Sequence, residues 1–129
     1  MDQQLARALL RLGMAVDFIV HGAVRMPILS KFADGLARDF APTILPAPLV
    51  HAFALAVPFA EAALGLLLLI GLKQRAVLVA GALLMIVLMG GTALLQRWDV
   101  LTQQLIYLGV YAVLLATRSW DRWSLDSKS

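Results

Sequence analysis

The sequence predicts an all-α integral membrane protein: an antiparallel bundle of four transmembrane helices, with a short amphipathic surface helix after the first span. Hydrophobic residues make up 61% of the chain and charged residues only 15%, against about 45–50% and about 25% in soluble domains. Mean hydropathy is +0.84. Four apolar runs approach the roughly 20 residues that a helix needs to cross a hydrocarbon core about 30 Å thick. At 129 residues, the chain reads as one domain, 1–129.

Cysteine is absent, which excludes disulfide frameworks, thiolate metal sites and iron–sulfur clusters. The net charge of +3 and pI near 9.8 would suit nucleic acid. The basic residues, however, are scattered between apolar runs and form no continuous patch, so the expected partner is the lipid bilayer and not nucleic acid.

The first span, near 5–29, is interrupted by Asp17, His21 and Arg25. No small-residue cleavage site follows it, so it is expected to remain in the mature protein and not to act as a secretory signal. The 19 residues 30–48 form the one long connection. Phe32, Leu36 and Phe40 recur every fourth residue, with Asp34 and Arg38 on another face; that pattern predicts a helix lying on the bilayer surface. Pro42, Pro46 and Pro48 then forbid regular helix and deliver an extended stretch.

The second span, 49–72, carries one formal charge, Glu61, and places Ala52, Ala56 and Ala60 at four-residue spacing, where helix backbones could approach. Pro58 within it removes a backbone donor and frees the Ala54 carbonyl; tilting of the span is its simpler role. The third, 74–95, contains no charge from Ala76 to Leu95. The fourth, 100–117, opens on Thr102, Gln103 and Gln104, and a short polar tail with Trp120 and Trp123 follows. Short connections make consecutive spans antiparallel neighbours.

Arg7, Arg11, Lys73, Arg75, Arg118, Arg122 and Lys128 fall on one side of these spans, and Lys31, Arg38 and Arg97 on the other. The bias places both termini in the cytoplasm of a bacterial-type inner membrane.

Ionisable groups at membrane depth cost about 2.5–3.5 kcal/mol on the insertion scale, and they usually face a bundle interior or a wet cavity. Glu61 falls near the bilayer centre, roughly 18 Å along the helix from Leu49. Asp17 reaches a similar depth from the other side. Asp17, His21 and Arg25 share one helix face at four-residue spacing. One reading makes them an ion-pair ladder that locks the first helix to the second through Glu61. The other makes Glu61, Asp17 and His21 a catalytic, proton-handling row, with Arg25 holding an anion or a polar head group.

His51, Thr92, Gln96, Arg97, Gln103, Tyr107 and Tyr111 complete a candidate binding set in the half of the bundle away from the termini. His51 is more simply interfacial, and Trp98 belongs to the aromatic belt. Gly90 and Gly91 would admit a close neighbour or a ligand. Bis-histidine haem ligation by His21 and His51 is disfavoured, because helical rise separates their depths by roughly 9 Å. No protein-bound metal or haem is expected.

The segment VDFIVHGAVRMPILSKFADGL, the Pro58–Glu61–Gly65 core, the Gly71–Arg75 turn and the closing Ser124–Leu125–Asp126 resemble the DoxX/DoxD family of small four-helix membrane proteins. The resemblance runs over nearly the whole chain. It implies a relative of thiosulfate:quinone oxidoreductase subunits, with quinone as substrate and a small sulfur anion held by Arg25 and Arg97. In that reading the chain is a quinone-linked enzyme or its membrane subunit, working with a partner subunit or as a homo-oligomer. The alternative is a noncatalytic scaffold that docks a redox or secreted partner. A small-solute carrier is disfavoured by the lack of internal symmetry.

Overall fold

The computed structural model describes residues 1–128, and within them the chain is all-helical. Helix α1 spans Asp2–Arg25, α2 Leu29–Asp39, α3 Ala47–Ile70, α4 Gln74–Leu94 and α5 Trp98–Ala116. Four candidate membrane crossings, one of them the continuous α1–α2 unit, are long and apolar enough to span a bilayer, which makes this a multi-pass membrane protein. The crossings form a closed ring in which α1 packs on α3, α3 on α4, α4 on α5 and α5 back on α1. The amphipathic α2 lies against α3.

The first crossing ends at Arg25, earlier than the apolar pattern implies. Pro27 forces a single 3₁₀ turn over Met26–Ile28, and the chain re-enters helix at Leu29. The far end of α2 is pinned by Phe40, which is 7% exposed. A Cβ on Gly91 would sit 3.1 Å from its ring, so Gly91 provides the flat surface on which Phe40 rests.

The bundle is arranged for lipid. Leu5, Leu9, Leu12, Val16, Val20 and Val24 of α1 are exposed, whereas Arg7 and Arg11 are buried beside Met14, Ala15, Phe18 and Gly22. Without a hydrophobic force between helices in lipid, close backbone packing and internal polar contacts must supply the association. Two glycines allow that approach. A Cβ on Gly22 would collide with the Pro58 carbonyl oxygen, and one on Gly65 would lie 2.8 Å from Ile19.

The contact stripe of α3 therefore runs through Val50, Ala54, Val57, Pro58, Glu61, Gly65 and Leu68. The expected stripe of Ala52, Ala56 and Ala60 is wrong: Ala52 and Ala56 are exposed and Ala60 only half-buried. Alanine fits a lipid-facing surface as readily as a helix contact, so its spacing does not mark the interface.

Candidate functional site

At the end of the bundle away from the termini, a cavity of about 290 Å³ opens between α1, α2, α3, α4 and α5. Asp17, His21, Arg25, Glu61, Thr92, Arg97, Gln103 and Tyr107 line it, so eight of the eleven candidate residues meet in one chamber. Glu61 is 4% exposed. Arg25 Nη1 donates to both of its carboxylate oxygens, at 3.1 and 3.4 Å. The guanidinium carbon also lies 4.7 Å above the Phe32 ring, a cation–π contact that ties the end of α1 to α2 across the Pro27 turn.

The rest of the α1 ladder closes on itself. His21 Nδ1 donates to the Asp17 main-chain carbonyl at 2.8 Å and lies 3.3 Å from Asp17 Oδ1. Asp17 Oδ2 is buried with no hydrogen-bond partner among the described residues, as is Gln104 Oε1. Gln104 was not among the candidates; its place on the chamber wall depends on the rotation of α5, which a polar run at a helix start does not reveal. Thr92 Oγ1 donates to the Leu88 carbonyl at 2.9 Å, and Arg97 Nη2 to Asp39 Oδ2 at 3.0 Å.

Three candidates lie elsewhere. His51 pairs with Asp34 on α2 at 3.0 Å, where both side chains are substantially exposed. Gln96 occupies the α4–α5 turn with φ of 57°. Tyr111 is 1% exposed, with its ring 5.3 Å from that of Phe18. A Cβ on Gly81 would lie 2.8 Å from the Tyr111 ring; the tyrosine is packed into the helix contact and not into the chamber. Among the described residues, no three His, Cys, Asp or Glu side chains gather closely enough to share a metal ion.

The opposite end holds a second polar cluster that composition alone does not announce. Four helices reach it, and three of their ends are capped by opposite charge. Arg11 Nη1 donates to the Leu68 and Leu69 carbonyls at the end of α3, each at 2.6 Å, and Nη2 donates to the Trp123 carbonyl at 2.9 Å. Arg7 Nη2 donates to the Leu114 carbonyl near the end of α5 at 3.1 Å, and Nη1 lies 3.6 Å from Asp121. Asp126 accepts from the first amides of α4, Lys73 and Gln74, each at 2.7 Å. Carbonyls left over at a helix C-terminus attract cations and amides at an N-terminus attract anions, so each cap matches its helix dipole.

The tail therefore folds back over the bundle and is not a loose polar terminus. Leu125 and Asp126 donate their amides to the Ile70 and Gly71 carbonyls at 3.1 and 2.9 Å. Gln74, 2% exposed, donates to Asp121 Oδ2 at 2.8 Å and Ser124 Oγ at 3.0 Å, and Ser124 Oγ donates in turn to Asp121. Gly71 makes this possible: its φ of 72° ends α3 in a left-handed turn, and any Cβ there would strike Ser124.

Together the fold and its two polar clusters define a small four-crossing membrane protein whose buried charges join helix to helix. The chain belongs to the family described as methylamine utilisation protein MauE, whose family model matches residues 3–103. No curated protein and no solved structure is similar enough to match the chain.

This membership corrects the resemblance to the DoxX/DoxD family, and with it the thiosulfate:quinone oxidoreductase reading. The residues that carried the resemblance answer to packing. Gly65 lets α1 approach α3 and the Pro58 carbonyl lies against Gly22, and the Gly71–Arg75 turn and Ser124–Asp126 cap one another. Any compact antiparallel bundle has those needs.

Proposed function

We propose that this chain is a membrane-embedded accessory protein of methylamine utilisation, a noncatalytic scaffold that docks a redox or secreted partner. The observation that carries the reading is that its buried charges are already bound to one another or to helix ends. Arg25 holds Glu61, and Arg7 and Arg11 hold the ends of α5 and α3. In this reading Asp17, His21, Arg25 and Glu61 keep the first and third helices in register. The family description supports the pathway.

The orientation proposed is both termini in the cytoplasm. It is supported by the exposed Lys73, Arg75, Arg118 and Arg122 at that end, although Arg7 and Arg11 are buried and drop out of the count. The opposite end then offers the partner the exposed polar face of α2 and the apolar tip at Ile44, which is 89% exposed.

Deleting the gene from a methylamine-utilising bacterium tests the proposal. Growth on methylamine is expected to fail while growth on another carbon source persists. Plasmid copies carrying Glu61→Gln are expected to restore growth wherever the protein accumulates normally, and Ile44→Glu is expected not to. Undiminished growth of the deletion strain overturns the pathway assignment. Failure of a normally accumulating Glu61→Gln protein overturns the noncatalytic role.

A further inference from the structure

At the end carrying the termini, outside the capped cluster, α4 and the residues following α5 enclose an open groove of about 920 Å³. Its rim carries Lys73, Arg75 and Arg118, all exposed. None of the three makes an ion pair or side-chain hydrogen bond among the described residues. Two carboxylates also line the groove, but each is bound by its neighbours: Asp121 by Gln74, Ser124 and Arg7, and Asp126 by the amides of Lys73 and Gln74. The anion position at the start of α4 is thus occupied from within. The three side-chain cations are what the groove presents to a ligand.

Below the rim the chemistry changes. Ala76, Val79, Ala80 and Leu83 are exposed and line the same groove, following one another at the three- and four-residue spacing of a single helix face. From Lys73 to Leu83 this track descends about 15 Å into the apolar crossing of α4. A positively charged mouth above an uncharged furrow at acyl-chain depth is complementary to an amphiphile whose head is anionic.

We propose that this groove binds one anionic phospholipid, with the phosphate on Lys73, Arg75 and Arg118 and an acyl chain along Ala76–Leu83. Basic residues beside a membrane crossing attract anionic lipid strongly enough that each removal weakens binding about fivefold. The site is read on the isolated protein and is independent of the methylamine pathway, so failure of the proposed function leaves it intact.

Native mass spectrometry of the full chain in mild detergent, with phosphatidylglycerol and phosphatidylcholine of identical chains, tests it. Phosphatidylglycerol is expected to be retained at least tenfold more tightly. The triple variant Lys73→Gln/Arg75→Gln/Arg118→Gln is expected to weaken retention about a hundredfold, while Lys31→Gln/Arg38→Gln at the opposite end leaves it unchanged. Ala80→Trp, which fills the furrow and keeps every charge, is expected to weaken it several-fold. Equal retention of the two lipids, or full retention by the triple variant or by Ala80→Trp, overturns the proposal. Inorganic phosphate binding as tightly as phosphatidylglycerol also overturns it, since the groove then reads a free anion.

Discussion

At the end that carries the termini, Arg7 and Arg11 are each 4% exposed and bonded to main-chain carbonyls. At the other end, the Arg25 side chain is 29% exposed and meets a carboxylate beside an open cavity. The first arrangement closes helix ends with charge; the second joins the last residue of α1 to the middle of α3 and leaves room around the join. The difference follows from what the helices offer. Helix ends present unpaired carbonyls and amides that a fixed charge can satisfy, whereas the mid-helix backbone around Glu61 is already paired, so its charge must find a side chain from another helix.

Removing a capping arginine should have the largest effect. Arg11→Met keeps most of the side-chain volume but leaves the Leu68, Leu69 and Trp123 carbonyls without their donor. A loss of about 3 kcal/mol is expected, read by equilibrium unfolding in mixed micelles, together with faster proteolysis at residues 121–126. A loss as small as that of an exposed pair would break the contrast between the two ends.

Glu61→Gln should cost less, about 1 kcal/mol. Its amide keeps one bond to Arg25, and that guanidinium retains partial access to water. A penalty equal to that of Arg11→Met would show the chamber to be as closed as the capped end. The smallest change is expected for Arg97→Gln, whose partner Asp39 and own side chain are 44% and 50% exposed: less than about 0.5 kcal/mol, falling further as salt is raised. A larger value in the same unfolding assay would mean that this pair also closes the chamber.

The crossings were legible because apolar length is a strong and local signal, as was α2, whose phenylalanines and leucine repeat at helical spacing. Part of the chamber was legible too: charges at four-residue spacing within a lipid-length helix must face inward, which groups Asp17, His21 and Arg25. What could not be read is which inward face meets which. Gly22 and Gly65 decide how α1 and α3 cross, yet a lone glycine in an apolar helix looks like any other small residue. Arg7 and Arg11 read as topology markers, because their hydrogen-bond partners are main-chain carbonyls and carry no sequence signature. The Gly71–Arg75 turn and the Ser124–Asp126 closure were both visible as motifs, but not as two halves of one contact.

The folded-back tail also sets an order of assembly. Residues 121–126 supply the groups that Arg11, Arg7 and the start of α4 require, and they are synthesised after all four crossings. Arg11 can reach the Leu68 and Leu69 carbonyls as soon as α3 is in place, whereas its bond to the Trp123 carbonyl and the Arg7–Asp121 pair wait for the segment after α5. The four crossings can pack on one another first, and the start of α4 gains its carboxylate only when residues 121–126 fold back.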